Sequence, residues 1–185
     1  MCLTHNPALA AEGLASFVHR ELQPNRNGRK GNRITKNSAS TKRNALLAIA
    51  GGGGIAGTLD LLQACTLFGW RIPLVIAAGL LGPPAIHGGA GTYILGVCLH
   101  FFIACSATAI YYAASRKLTF LIDHPLVCGL FYGIAVELVM SYIVLPLCAL
   151  HARGPYELKG VLLGLAVHMV VVGLPISFSV RRFAK

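Results

Sequence analysis

The sequence contains few charged residues, and acidic residues are the scarcest of them. Only 12% of its 185 residues are charged, six of them are Asp or Glu, and 55% are hydrophobic. A soluble domain is typically about 25% charged, so this chain has too little charge to cover the surface of one. The composition therefore argues against an ordinary soluble enzyme or binding domain and indicates a membrane protein.

Several motifs with a defined chemistry are also absent from the sequence. There is no Walker loop, no dinucleotide-binding fingerprint and no Ser-His-Asp arrangement, and the four glycines at residues 51–54 do not follow a strand or precede Lys-Ser/Thr. The six cysteines form no CxxC pair, which argues against a disulfide oxidoreductase. We interpret them as ordinary small apolar residues.

Four long apolar segments are each long enough to cross a bilayer. A hydrocarbon core about 30 Å thick needs roughly 20 apolar residues in a helix. The segments that meet this length lie near residues 45–67, 92–115, 125–149 and 157–179. No segment alternates with the two-residue period of a barrel strand. The sequence therefore predicts an all-α integral membrane protein, in which residues 44–185 form a four-helix bundle.

The positions of Lys and Arg predict the orientation of these helices. Basic residues are frequent before the first segment, between the second and third, and after the fourth, where they include Arg116, Lys117, Arg181, Arg182 and Lys185. The two remaining loops have only Arg71, Arg153 and Lys159. By the positive-inside rule, both termini are expected in the cytoplasm.

The first 43 residues differ from the rest in composition. They are rich in Asn, Arg, Lys and Ser, and they are predicted to form a disordered cytoplasmic tail. Its basic residues are expected to bind anionic lipid headgroups, whereas nucleic acid is not predicted as a partner because no aromatic platform accompanies the charge. We expect no cleaved secretory signal, since no apolar core precedes residue 44.

A shorter apolar stretch, residues 72–86, lies between the first two predicted spans. Pro73 is suited to the first turn of a short helix, and Gly82-Pro83-Pro84 would end it. A stretch of this length is expected to be an interfacial or re-entrant segment on the outer side, and a gate or pore loop with His87 at its tip is the alternative. Pro146 and Pro175 predict kinks late in the third and fourth spans.

Each predicted span carries one ionisable residue near its middle: Asp60, His100, Glu137 and His168. An ionised Asp at a helix centre costs about 2.5–3.5 kcal/mol in a bilayer, so such residues usually face the protein interior and have a partner. All four lie on rows of small residues spaced three or four apart, where membrane helices pack closely. The glycines of these rows are Gly53, Gly57, Gly96, Gly129, Gly133, Gly160 and Gly164. We predict a buried polar cluster at the bundle midplane, and a homo-oligomer could use the same rows.

Three classes of function are compatible with such a cluster. The leading interpretation is a structural or interaction protein, in which neutral Asp and Glu are hydrogen-bonded to histidines at about 0.6 kcal/mol per contact. A proton-linked transporter or channel subunit is the second. A metal- or haem-binding membrane enzyme is the third, although HxxxH, ExxH and HExxH motifs are absent. We predict no cofactor and name no catalytic residue.

Several short sequences are similar to those of a group of small bacterial inner-membrane proteins. They are IAAGLLG at residues 76–82, Gly88-Gly89, Leu99-His100-Phe101, YYAASR at residues 111–116 and VLPL at residues 144–147. The resemblance covers about residues 45–180. It implies a four-helix fold in the bacterial inner membrane but no activity, so no functional residue is carried over from it.

Overall fold

The structure is a computed structural model that describes the backbone of residues 26–151 and 157–183. Side chains are described for residues 42–151 and 157–183. All regular structure in these residues is helical. Residues 1–25, and with them most of the predicted tail, lie outside the described residues.

In residues 26–151 and 157–183, six main helices follow one another. They are α1 (Arg26–Phe68), α2 (Ile72–Leu81), α3 (Ala90–Ser115), α4 (Phe120–Asp123), α5 (Pro125–Leu147) and α6 (Leu158–Phe183). The part of α1 from Lys42 to Phe68, together with α3, α5 and α6, is long and apolar enough to cross a membrane. This confirms four apolar spans, with bounds within a few residues of those predicted. The backbone of α1 is already helical from Arg26, before its predicted span begins.

The predicted short apolar helix is α2, which is followed by a 3-10 turn over Pro83–His87. Pro73 lies in its first turn, and Gly82 ends it with a φ of 89°, a conformation that glycine adopts readily. Pro73 is buried against α3, where Gly96 has no side chain to collide with its backbone. The side chains of Leu80 and Leu81 on α2 remain exposed.

Helices α5 and α6 each contain a π-helical turn. In α5 the turn covers Met140–Val144, and in α6 it covers His168–Gly173. Pro146 and Pro175 each follow two residues after the turn. A proline cannot donate a backbone hydrogen bond, and its ring collides with the carbonyl four residues earlier, so the wider π turn accommodates it. The kinks predicted at the two prolines therefore correspond to π turns just before them.

Glycines allow α1 and α3 to approach each other closely. A Cβ atom on Gly53 would lie 2.8 Å from the Cα of Cys105, and one on Gly57 would lie 3.0 Å from the ring of Phe101. Because residue numbers rise along α1 as they fall along α3, the two helices are antiparallel. The absence of side chains at these two positions is what lets the two backbones come together.

The contact between α5 and α6 is closer still. Gly133 faces the backbone of His168 and Met169, and Gly129 faces the backbone of Gly173 and the side chain of Ser177. These helices are also antiparallel. In membranes, such close approach replaces the hydrophobic driving force that is missing between helices surrounded by lipid. Gly160 is half-buried, and its predicted role in packing stays a prediction.

Candidate functional site

One pair of ionisable side chains, Glu137 and His168, joins α5 to α6. The Nδ1 atom of His168 lies 3.0 Å from Oε2 of Glu137 and 3.1 Å from the carbonyl oxygen of Gly164. The other carboxyl oxygen of Glu137, Oε1, accepts a hydrogen bond of 2.8 Å from the hydroxyl of Ser141. The side chains of His168 and Glu137 are only 19% and 11% exposed, so both are largely buried within the protein.

The neighbours of His168 fix which of its ring nitrogens carries a hydrogen. A backbone carbonyl can only accept a hydrogen bond, so Nδ1, which faces the Gly164 carbonyl, must be a donor. The same N–H points to Oε2 of Glu137, which therefore accepts. With Nδ1 engaged in this way, Nε2 is the nitrogen of His168 that remains to gain or lose a proton.

Local helix structure places these two side chains opposite each other. A Cβ atom on Gly164 would lie 2.7 Å from Oε1 of Glu137, so the carboxyl group occupies space that only glycine leaves open. His168 is the first residue of the π turn in α6, and Glu137 lies three residues before the π turn in α5. Such turns are frequent at functional sites because they change the direction of side chains along a helix.

The second acid–imidazole pair joins α1 to α3 and is looser. The Nε2 atom of His100 lies 3.8 Å from Oδ2 of Asp60, beyond hydrogen-bond distance. It lies 2.9 Å from the carbonyl oxygen of Gly57 and must donate to it. His100 thus ties α3 to the backbone of α1, while Asp60 supplies an acidic neighbour rather than a direct partner. The ring of Phe101 also contacts the His100 ring edge to face, with centroids 5.8 Å apart.

The structure brings the four predicted site residues together as two pairs, Glu137 with His168 and Asp60 with His100. The two pairs lie on different helix pairs, and together they place one titratable group on each of the four spans. Within residues 42–151 and 157–183, no three His, Cys, Asp or Glu side chains lie close enough together to hold a metal ion. The arrangement can exchange protons between carboxyl and imidazole groups, and it can hold helices together.

Three participants are missing from the set of site residues that the sequence singled out. Ser141 lies one turn after Glu137 on the same row of small residues, and this spacing was the signal for its hydrogen bond. The carbonyl groups of Gly57 and Gly164 carry no signal in sequence, because every residue has one.

His87, the tip of the predicted gate, is exposed on the 3-10 turn, where Arg71 donates a 2.9 Å hydrogen bond to the carbonyl of Ile86.

No family model matches the chain, and no similar curated protein or solved structure was found.

Proposed function

We propose that the chain is a multi-pass protein of the bacterial inner membrane with a structural or interaction role. In this proposal its four spans form one bundle with both termini in the cytoplasm, and α2 lies at the outer surface. The two acid–imidazole pairs hold the spans together. The chain is not proposed to be an enzyme.

The distribution of charge supports the orientation. Contacts such as that between Gly51 and the ring of Phe183 bring the start of the first span to the end of the last. We call this the basic end. In the described part of residues 43–183, its charged residues are Arg43, Arg116, Lys117, Asp123, Arg181 and Arg182. Those at the opposite end are Arg71, Glu157 and Lys159. The positive-inside rule favours the basic end for the cytoplasmic side.

One observation carries the structural role, namely the 3.0 Å contact between Glu137 and His168. It joins neighbouring helices at the place where their glycines bring the backbones together. Polar contacts of this kind in membranes average about 0.6 kcal/mol and reach about 1.7 kcal/mol. The larger effect is avoidance of an unpaired ionisable group, which would cost about 2.5–3.5 kcal/mol near the bilayer centre.

Proton-linked transport is the second candidate function. It is favoured by the two acid–imidazole pairs, which place one titratable group on each of the four spans. The π turns beside Glu137 and His168 add places where the two helices could change shape.

Proteoliposomes containing a pH-sensitive dye separate the two functions. The variants are Glu137→Gln and Asp60→Asn, and Glu157→Gln is a matched control because Glu157 is an exposed acid at the start of α6. A structural role predicts proton flux no higher than in empty liposomes and a lower melting temperature for Glu137→Gln in detergent. Flux in the unmodified protein that disappears in a well-folded Glu137→Gln variant would overturn the structural role and establish transport.

Two partners are proposed alongside this function. The basic residues of segment 1–43 would bind anionic lipid headgroups. A second copy of the chain would pack on the exposed outer faces of the spans, because Gly53, Gly57, Gly129 and Gly133 are already occupied by contacts within the chain. The oligomeric state in lipid nanodiscs tests the second proposal, and monomers at all protein concentrations would contradict it. A metal or haem function is tested by metal analysis and absorbance of the same purified protein.

A further inference from the structure

A groove of about 540 Å³ lies beside α3, α4 and α5 at the basic end. This volume is within the range of about 300–1,000 Å³ that is typical of sites for small ligands. Its walls include Tyr111, Phe120, Phe131, Tyr132 and Ala135, and His124 lines it where α4 meets α5. None of these residues belongs to the acid–imidazole pairs.

The walls of the groove suit a hydrocarbon. The hydroxyl of Tyr111 donates a 3.1 Å hydrogen bond to the carbonyl of Leu121, and that of Tyr132 donates a 2.7 Å hydrogen bond to the carbonyl of Ala107. Both hydroxyl hydrogens are therefore engaged within the protein. The remaining surface of the groove is almost entirely carbon, so a ligand with many polar groups would lose hydrogen bonds on entering it.

The groove extends along α5 from the end of the span towards its middle. Val127, Phe131 and Ala135 are spaced four residues apart on one face of α5, and all three are exposed. Val127 and Ala135 are eight residues apart, which corresponds to about 12 Å along the helix. In a membrane this face is turned to lipid, so an acyl chain that lies along the row reaches the groove from the side.

The groove opens at the basic end, whose charge complements an anionic headgroup. His124 lines it, and Lys117 is exposed three residues before α4 begins. Arg181 and Arg182 are exposed near the end of α6, which packs against α4. Asp123 is the opposing charge, and the net charge of this end is positive. Basic pockets beside spans recognise anionic lipid headgroups in this way.

We propose that this groove is a binding site for one anionic phospholipid, with an acyl chain along Phe131 and Ala135 and the headgroup phosphate at Lys117 and His124. The site does not depend on the function proposed for the acid–imidazole pairs.

The test is native mass spectrometry of the full chain released from nanodiscs that contain phosphatidylglycerol and phosphatidylcholine in equal amounts. The unmodified protein should retain one phosphatidylglycerol in preference to phosphatidylcholine. Ala135→Trp fills the groove and should abolish retention of this lipid. Ala113→Trp is the matched control, since Ala113 is an exposed alanine on α3 near the same end that does not line the groove, and it should retain the lipid.

A second pair of variants tests the headgroup without altering the apolar wall. Lys117→Gln should reduce the preference for phosphatidylglycerol about fivefold, which corresponds to about 1 kcal/mol per basic residue near a membrane surface. Lys159→Gln at the opposite end is the control and should leave the preference unchanged.

Three results would overturn the proposal. They are the absence of retained lipid in the unmodified protein, equal retention by Ala135→Trp and Ala113→Trp, and retention without preference for phosphatidylglycerol. If Ala135→Trp fails to fold, the pair Lys117→Gln and Lys159→Gln still decides the outcome. A change in proton flux or in stability of Glu137→Gln would concern the other site and leave this test unaffected.

Discussion

The helix pairs α1–α3 and α5–α6 share one plan but differ in how closely the acid approaches the imidazole. Both pairs are antiparallel, both are brought together by glycines, and each contributes one carboxyl and one imidazole group. In α5–α6 the oxygen and nitrogen are 3.0 Å apart, whereas in α1–α3 they are 3.8 Å apart. The difference shows that a shared sequence pattern does not ensure a shared interaction.

The length of the acidic side chain and the room around it explain this difference. Glu137 has one more methylene group than Asp60, and its carboxyl group extends into the space beside Gly164. The shorter Asp60 does not reach His100, which donates to the Gly57 carbonyl instead. The α5–α6 contact therefore depends on an acidic side chain, whereas the α1–α3 contact depends mainly on a backbone carbonyl.

The two helix pairs also differ in the regularity of their helices. Helix α3 is a continuous α-helix, whereas α5 and α6 contain π turns next to their ionisable residues. The tighter polar contact is thus found between the two interrupted helices. Variants that affect one pair and spare the other can test whether this contrast has consequences for stability.

The largest expected effect is at a glycine of the α5–α6 contact. In Gly133→Ala the new Cβ atom would lie 2.5 Å from the Cα of Met169 and 2.7 Å from the carbonyl carbon of His168, so backbone must move. We expect a loss of about 3 kcal/mol, at the upper end for overpacking. Gly54→Ala is the control, because no atom lies within 4 Å of its new Cβ. Equal melting temperatures of the two variants in detergent would contradict this packing.

The second prediction concerns loss of the carboxylate in each pair. Glu137→Gln should lower the free energy of unfolding by about 1.5 kcal/mol, near the largest values for polar contacts in membranes. Asp60→Asn should cost about 0.5 kcal/mol, because Asp60 has no direct hydrogen bond to His100. Reversible unfolding in mixed micelles gives both values. A larger loss for Asp60→Asn would reverse the ranking of the pairs.

Exchanging the two acids tests whether side-chain length explains the contrast. Glu137→Asp shortens the acid and should cost about 1 kcal/mol, within the range for polar contacts between spans. Asp60→Glu should bring the carboxyl group within reach of His100 and raise stability by about 0.5 kcal/mol. The same unfolding experiment applies. If Glu137→Asp is as stable as the unmodified protein, length is not the cause.

The smallest expected effect is at Ser141. Ser141→Ala removes the hydrogen bond to Oε1 of Glu137 but leaves the contact with His168, so we expect a loss of about 0.5 kcal/mol. Ser106→Ala is a suitable control, since its hydroxyl bonds only to the carbonyl of Phe102 in its own helix. The difference between their melting temperatures should be small but reproducible, and a larger loss for Ser106→Ala would contradict the role of Ser141.

The four spans could be predicted from sequence because they depend on apolar length. Apolar length defines a span, and small residues spaced by one turn define the face on which helices meet. Gly57, Gly133 and Gly164 occupy such contacts in the structure. The short helix α2 was also predictable, since a proline begins it and a glycine ends it.

The pairing of the acids with the histidines could not be predicted. A row of small residues identifies a face but not the helix that packs against it or the depth at which two side chains meet. No sequence pattern indicates that His100 donates a hydrogen bond to the backbone carbonyl of Gly57. The prolines indicate a break in α5 and α6, but a proline is compatible with a bend, a 3-10 turn or a π turn. These features depend on tertiary packing.

A double-mutant cycle on Glu137 and His168 tests the central claim most directly. It compares the stabilities of Glu137→Gln, His168→Asn and the double variant, with the same cycle on Asp60→Asn and His100→Asn as the reference. If the Glu137–His168 contact fastens α5 to α6, its coupling free energy should be about 1 kcal/mol, and that of the reference pair should be well below it. A coupling of zero between Glu137 and His168, or equal couplings in the two cycles, would contradict that claim.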